Sequence, residues 1–163
     1  MGRARESGSP VNGWLSLVAG TGSAVAGGFY LAFSTAVMPA LRRRPAKESI
    51  ATMVFINHMA VRPPFMIVFF GTAAACAAVA VVAAADPLTR SPIQVAGAAA
   101  YLAGWASTMV VNVPLNNQLA NAVGDQPGQQ WTTYEQSWTP ANHLRAALSF
   151  AGAAGLLASV PHP

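Results

Sequence analysis

Long apolar stretches alternate with polar connectors along the chain. Four stretches are apolar enough to cross a bilayer, at about residues 14–38, 65–85, 93–113 and 142–160. A helix of about 20 apolar residues spans the hydrocarbon core. The pattern therefore predicts an all-α protein, a four-transmembrane-helix bundle that forms a single integral membrane domain over residues 1–163.

Two connectors carry helical signals of their own. In the first, apolar residues such as Ile50, Met53 and Val54 recur at helical spacing over 46–61, which predicts an amphipathic helix lying in the membrane interface. Before the fourth span, Trp131, Tyr134 and Trp138 follow one another at spacings of three and four. Because Trp and Tyr prefer the interface, this row predicts a short helix there.

Composition supports membrane residence. Hydrophobic residues make up 53% of the 163 residues and charged residues only 9%, whereas soluble domains carry about 25% charged residues. The first connector holds four cations over 42–47, against Arg3, Arg5 and Arg90 on the other side. The positive-inside rule then places both long connectors in the cytoplasm, beneath a bacterial-type plasma membrane. No basic stripe with interleaved aromatic residues indicates nucleic-acid binding.

Polar residues gather where the third span ends and the fourth begins. Asn112 and Asn116 lie at the first position, and Asn142, His143 and Arg145 at the second. Antiparallel spans bring both positions to one side of the membrane. Polar groups at membrane depth are costly and usually face a cavity, so the sequence predicts a polar pocket at one mouth of the bundle.

Other elements contribute to the same mouth. Tyr30 and Ser34 come from the first span, Asn57 from the first connector, and Tyr134 and Trp138 from the loop before the fourth span. The aromatic row is also typical of a simple interfacial anchor, and that alternative stays open.

His143 and Arg145 are the candidates for chemistry. A histidine titrates near neutral pH and serves as a base or acid, but His143 and Asn142 are equally suited to cap a helix start. A buried Arg145 stabilises an anion, although it could also reach a lipid headgroup.

The two other asparagines have a structural alternative. Pro114 removes a backbone donor, and Asn112 or Asn116 could bind the freed backbone groups rather than a substrate.

Metal and cofactor signals are weak. His58 and His143 have no carboxylate at a ligand spacing, and His162 lies in the terminal tail. Cys76 sits in an apolar run without thiolate-stabilising charge. There is no phosphate-binding glycine loop, no haem-attachment motif and no dinucleotide fingerprint. The sequence predicts neither a metal nor a cofactor.

Four segments resemble the anthrone oxygenase family, a group once known only as a domain of unknown function. They are GGFYLAFSTAVMPAL at 27–41, INHMAVRPPF at 56–65, NVPLNNQLA at 112–120 and WTTYEQSWTPANHLR at 131–145. The resemblance implies a four-helix membrane protein. Fungal members are assigned to the oxidation of anthrones to anthraquinones with O₂ and no evident cofactor.

The resemblance also implies a site. The positions that match the family pattern are Tyr30, Asn57, Pro64, Asn112, Pro114, Asn116, Trp138, Asn142, His143 and Arg145. It implies a membrane monooxygenase that oxidises a flat lipophilic phenolic or polyketide-type substrate. The catalytic residues would be His143, Arg145 and Asn142, and the substrate-binding residues Tyr30, Asn57, Asn112, Asn116, Tyr134 and Trp138. The chain departs from the pattern at Arg62 and Ala141, which bears on the substrate.

Other functions stay open beside this one. The chief alternative is a non-catalytic membrane protein that binds a lipid or quinone-like molecule. A transporter and a metal enzyme are less favoured. The expected partners are a lipophilic small-molecule substrate, O₂ and membrane lipid, and a homo-oligomer is a further option.

Overall fold

The computed structural model describes residues 10–85, 91–122 and 126–160, and every regular element in these ranges is helical. In chain order the elements are α1 (Pro10–Ala32), a π-helical segment (Phe33–Val37), α2 (Met38–Arg42), α3 (Ala46–Ala60), α4 (Pro63–Ala85), α5 (Pro92–Ser107), a second π-helical segment (Thr108–Asn112), α6 (Val113–Ala120) and α7 (Pro127–Ala158). The predicted all-α class is confirmed for these ranges. Arg3, Arg5, Arg90 and His162 lie outside the described residues.

Four long helices pack in a ring. α7 lies between α1 and α5, and α4 closes the ring on the other side by packing on the same two helices. Neighbours run antiparallel: Gly22 of α1 faces Thr72 of α4, while Phe29, two turns further along α1, stacks on Phe65 at 4.0 Å between ring centroids. Successive helices therefore alternate in direction, and the C-terminal end of α1 lies beside the N-terminal end of α4.

Glycines set the closest helix–helix approach. A Cβ added at Gly97 of α5 would lie 2.9 Å from the backbone nitrogen of Leu156 in α7, and one at Gly155 would lie 2.8 Å from the carbonyl oxygen of Ile93. Such small residues let membrane helices pack backbone against backbone. The α5–α7 interface therefore depends on the absence of a Cβ atom at these glycines.

Three continuous helical stretches of the described chain are long and apolar enough to cross a membrane: Gly13–Arg42, Pro63–Ala85 and Pro92–Ala120. They contain the first three predicted spans. Large apolar side chains such as Trp14, Ile67 and Val110 are about 70% exposed on their outer faces, as in helices that face lipid rather than water. α7, which contains the predicted fourth span, is not among the three.

The helices that contain the first and third predicted spans continue beyond residues 38 and 113. Each helix continues past its proline through a π-helical segment, so that Pro39 lies in α2 and Pro114 in α6. In both, the residue before proline donates its backbone N–H to the carbonyl five residues earlier, from Met38 to Phe33 and from Val113 to Thr108. The wider turn carries the helix across a residue that has no N–H, so the predicted ends at Pro39 and Val113 are wrong.

The predicted short helix before the fourth span is also wrong as a separate element. α7 runs unbroken from Pro127 to Ala158 with Pro140 inside it. Asn142 consequently lies in the middle of a helix and does not cap one.

The first connector folds back on the end of the ring. α3 covers 46–60, close to the prediction, and packs on α6 and α7. Ser49 Oγ donates to the Leu41 carbonyl oxygen at 2.8 Å and so ties α3 to α2. A second apolar cluster lies here, distinct from the core of the ring, and is formed by Phe33, Met38, Leu41, Met53, Leu119, Trp131, Tyr134 and Trp138.

One ion pair connects the connector to α7. Arg42 Nε donates to Glu135 Oε1, with half of the arginine side chain exposed. Exposed pairs contribute about 0–1 kcal/mol. We therefore expect Glu135→Gln to lower the melting temperature in detergent by about 3 °C or less. A larger loss would mean that the pair holds α2 in place.

Candidate functional site

A buried arginine lies at the centre of the site. Arg145 of α7 is only 6% exposed. Its Nη2 donates to Asn142 Oδ1 at 2.8 Å and its Nη1 approaches Thr108 Oγ1 at 3.5 Å. The guanidinium carbon lies 4.4 Å from the ring centroid of Tyr30 and 5.4 Å from that of Trp138. Two aromatic faces and neutral oxygens thus surround the cation.

The positive charge of Arg145 has no carboxylate partner among the described residues. Only two acidic side chains fall within the described ranges. Glu135 pairs with Arg42 and Glu48 with Arg44, and both arginines belong to the first connector. A buried charge is normally paired, so this site has the electrostatics to hold an anion.

Asn142 joins α7 to α1. Its Nδ2 donates to the Tyr30 carbonyl oxygen at 2.9 Å and to Ser34 Oγ at 2.8 Å, while its Oδ1 accepts from Arg145. Ser34 lies in the first π-helical segment, Tyr30 precedes that segment by three residues in α1, and Thr108 begins the second segment. π-Helical turns are frequent at functional sites. Here the two segments supply the groups that orient Asn142 and Arg145.

Several buried polar atoms of the site residues have no hydrogen-bond partner in the described part of the chain. Four are donors, Arg145 Nε, Trp138 Nε1, Asn57 Nδ2 and Asn112 Nδ2, and one is an acceptor, Asn112 Oδ1. Asn112 follows Thr108 by one turn. Unpaired buried polar groups cost about 1–3 kcal/mol each. Because donors outnumber the single acceptor, the chemistry favours a ligand rich in hydrogen-bond acceptors.

A second group of polar side chains continues from Trp138. The Tyr134 ring stacks on the Trp138 ring at 6.1 Å between centroids, and its hydroxyl donates to Asn116 Oδ1 at 2.8 Å. Asn57 is the other polar neighbour of this hydroxyl. Tyr134 therefore links the Trp138 ring to Asn57 and Asn116.

The structure brings most predicted residues together. Tyr30, Trp138, Asn142 and Arg145 contact one another directly, and Asn112 lies one turn from Thr108. Asn57, Asn116 and Tyr134 form the adjoining group. We call these eight residues together with Thr108 the buried polar cluster.

His143 is not part of this cluster. Successive helical residues point about 100° apart, and the buried arc of α7 here contains Asn142 and Arg145, whereas His143 and Leu144 are exposed. This placement contradicts the prediction that His143 shares one pocket with Arg145.

The sequence contains the signal that separates them. The buried residues of α7 follow one helical stripe, which includes Trp131, Tyr134, Trp138, Asn142, Arg145, Ser149, Gly152 and Leu156. The spacings of three and four run through Pro140 without a break, and His143 lies off the stripe. Thr108 was not predicted, although it precedes Asn112 by four residues and so shares its helix face.

An apolar groove of about 500 Å³ lies beside the cluster, between α1, the end of α3 and the start of α4. We call it the phenylalanine groove, and it is lined by Phe29, Phe33, Val37, Ile56, Met59, Ala60, Arg62, Pro64 and Phe65. The Phe33 ring lies 5.5 Å from the Trp138 ring, and the Phe65 ring 6.2 Å from the Tyr30 ring. One layer of side chains thus separates the groove from the two rings that hold Arg145.

A second cavity of about 590 Å³ lies between α6 and the start of α7. Its lining mixes leucines with exposed glutamines, and Tyr134 forms part of its wall. It therefore adjoins the Tyr134 side of the cluster.

Within 10–85, 91–122 and 126–160, no three His, Cys, Asp or Glu side chains come together. Cys76 is a buried free thiol in α4. The described residues therefore contain no ready set of metal ligands.

Comparison with known proteins gives one match. No curated protein and no solved structure matches the chain. Residues 65–155, more than half of the chain, match the anthrone oxygenase family. The match runs from the start of α4 into α7 and includes Asn112, Trp138, Asn142 and Arg145, whereas Tyr30 precedes it. The chain belongs to the anthrone oxygenase family.

Proposed function

We propose that this protein is a membrane monooxygenase that oxidises a flat lipophilic phenolic substrate with O₂. Arg145 carries this proposal. It is a buried cation with no carboxylate partner among the described residues, and such a group stabilises the anion that must form before O₂ reacts. Family membership supports the reaction class. No cofactor is needed if the substrate carbanion itself reduces O₂.

We propose that the whole chain is one integral membrane domain and that α7 is its fourth span. A helix of 32 residues is about 48 Å long, enough to cross a bilayer. Its polar residues Asn142, Arg145 and Ser149 are buried against other helices. Low mean apolarity is compatible with a span whose polar face is shielded from lipid.

The connectors complete this arrangement. Phe55 and Met59, 65% and 42% exposed, lie four residues apart on α3 and form an outward apolar face, as expected for a helix in the interface. The cations Arg42, Arg43 and Arg44 precede α3 in the chain. We place both long connectors in the cytoplasm on that basis.

The reaction converts a methylene group between two aromatic rings to a ketone. A C–H proton leaves, the carbanion transfers its electrons to O₂, and one oxygen atom becomes the carbonyl while the other leaves as water. One substrate and one O₂ give one ketone and one water, so no external reductant is required.

The cluster stabilises the charge of this anion. In the carbanion of an anthrone the negative charge is delocalised through the aromatic rings onto the carbonyl oxygen on the opposite side of the central ring. Arg145 Nε, Asn112 Nδ2 and Trp138 Nε1 are donors available to such an oxygen. Preoriented donors in a dry site are worth several kcal/mol to a developing oxyanion. Asn142 positions Arg145 by accepting from its Nη2.

The phenylalanine groove receives the substrate. Its volume and aromatic lining suit a flat fused-ring molecule. Movement of Phe33 or Phe65, which form the layer beside Trp138 and Tyr30, would bring the substrate to the cluster.

The experiment follows conversion of a hydroxylated anthrone by the purified chain in lipid nanodiscs. Both O₂ uptake and the absorbance of the anthraquinone product are measured. Because anthrones oxidise slowly without protein, empty nanodiscs of the same lipid serve as the blank. A rate equal to that of the blank, with the anthrone retained by the protein, would replace the oxygenase with a lipophile-binding protein.

His143→Ala tests which face of α7 is used. Because His143 lies on the exposed face, we expect the variant to retain at least about half of the wild-type rate. The proton then leaves to water rather than to this imidazole. A loss of tenfold or more would restore His143 as the base.

A further inference from the structure

The phenylalanine groove is built for a flat aromatic ring. The Phe29 ring stacks on the Phe65 ring at 4.0 Å and lies 5.1 Å from the Phe33 ring. The remaining apolar lining comes from Val37 of the first π-helical segment, from the end of α3 and from Pro64 of α4. Offset and edge contacts between rings stabilise such pairs beyond simple burial.

Arg62 gives this apolar groove a positive edge. Among the described residues that line the groove, it alone carries a charge. It belongs to the turn between α3 and α4 and is exposed. Glu48 and Glu135, the acidic residues within the described ranges, pair with Arg44 and Arg42 instead. A guanidinium on an apolar groove is complementary to a lipophilic molecule that bears a carboxylate.

Arg62 and Arg145 lie on opposite sides of one aromatic layer. From the groove, Phe65 contacts Tyr30 at 6.2 Å between ring centroids, and Tyr30 contacts the Arg145 guanidinium at 4.4 Å. A carboxylate on Arg62 would therefore lie at the end of the substrate remote from Arg145. The two arginines would then have separate tasks, selection at the groove and charge stabilisation at the cluster.

We propose that the phenylalanine groove selects a flat aromatic acid, whose rings lie against Phe29, Phe33 and Phe65 and whose carboxylate binds Arg62. This rests on the proposed function only in making that acid the substrate; the binding preference stands without turnover. Arg62 is then a specificity-determining residue rather than a catalytic one.

The test compares two fluorescent probes, anthracene carboxylate and the anthracene carboxamide of the same substitution pattern, bound to the full chain in phosphatidylcholine nanodiscs. We expect the wild-type protein to bind the carboxylate about fivefold more tightly than the amide, as for a partly exposed ion pair. Arg62→Gln should bind both equally, and Arg62→Lys should keep most of the preference. Arg43→Gln is the matched control, since Arg43 is exposed on the same connector and does not line the groove.

Two results would overturn the proposal. One is a carboxylate preference that is missing in wild type or survives Arg62→Gln. The other is loss of the preference in discs containing phosphatidylglycerol, together with retention of that lipid by wild type but not by Arg62→Gln, which would assign Arg62 to a lipid headgroup.

Failure of the oxygenase is distinguishable from failure of this groove. A carboxylate preference without O₂ uptake on either the neutral anthrone or an anthrone carboxylic acid removes the oxygenase and leaves the groove assignment intact. O₂ uptake without the carboxylate preference removes the groove assignment and leaves the oxygenase.

Discussion

Replacing Arg145 by Gln is expected to lower anthrone-dependent turnover by at least about 100-fold, the usual cost of losing a principal oxyanion-stabilising group. Glutamine keeps hydrogen-bonding capacity but removes the charge. Arg145 has no carboxylate partner in the described chain, so an anionic substrate would lose its main electrostatic attraction. The measurement is initial O₂ uptake at saturating anthrone, corrected for protein-free oxidation.

Arg145→Lys separates charge from geometry. The guanidinium donates a hydrogen bond to Asn142 and lies over the Tyr30 and Trp138 rings. A lysine ammonium is a compact charge without the planar fork of donors and does not reproduce these contacts. We expect a loss of at least about tenfold. Arg43→Gln, which changes an exposed connector cation, should leave the rate unchanged.

The melting temperature distinguishes a catalytic loss from unfolding. Removal of a buried charge relieves its desolvation cost, whereas loss of the hydrogen bond to Asn142 costs about 1 kcal/mol, so Arg145→Gln should melt within about 4 °C of wild type while its turnover falls. A variant that melts normally and turns over at the wild-type rate would remove Arg145 from the mechanism.

The sequence predicted the helical class and the first three spans because their apolar runs are long and face lipid. It ended the first and third spans at residues 38 and 113, next to Pro39 and Pro114, whereas both helices continue. A π-helical turn accommodates the missing N–H at each of these prolines, and α7 also continues through Pro140. Local propensity alone does not show such accommodation, since packing against neighbouring helices stabilises it.

The predicted helix start at Asn142 also explains why His143 was assigned to the same pocket as Arg145. With a helix start at Asn142, the asparagine, the histidine and Arg145 all belonged to a first turn at one mouth. Once α7 is continuous, the phase of Trp131, Tyr134 and Trp138 extends to Asn142 and Arg145, and His143 falls outside the stripe. The residue types were informative, but the rotation of the helix had to be known before they could be assigned to one face.

The unpaired donors could not be predicted at all. Whether Asn112 bonds the backbone near Pro114 depends on which carbonyls the π-helical turn leaves free. In the structure both of its side-chain polar atoms lack a partner among the described residues, so repair of the helix is not its role. That observation moves Asn112 from a structural to a ligand-binding interpretation.

Gly97→Ala is expected to disrupt the α5–α7 interface. The new Cβ would lie 2.9 Å from Leu156 N, 3.0 Å from Gly152 O and 3.1 Å from Gly155 C. All three are backbone atoms, which cannot rotate away as a side chain does. Overpacking of this kind costs about 1–3 kcal/mol, or roughly 5 °C in melting temperature for a chain of this size.

Turnover should fall with it, because α5 continues into the segment that carries Thr108 towards Arg145. Gly71→Ala is the matched control: Gly71 also lies within a long helix, is exposed, and has nothing within 4 Å of an added Cβ. There, alanine should leave both melting temperature and turnover unchanged or raise the former, since it is the better helix former. Equal melting of the two variants, measured by Trp fluorescence in detergent, would mean that α5 and α7 do not pack backbone against backbone. In that case the position of Thr108 relative to Arg145 would have to be set by the π-helical segment alone.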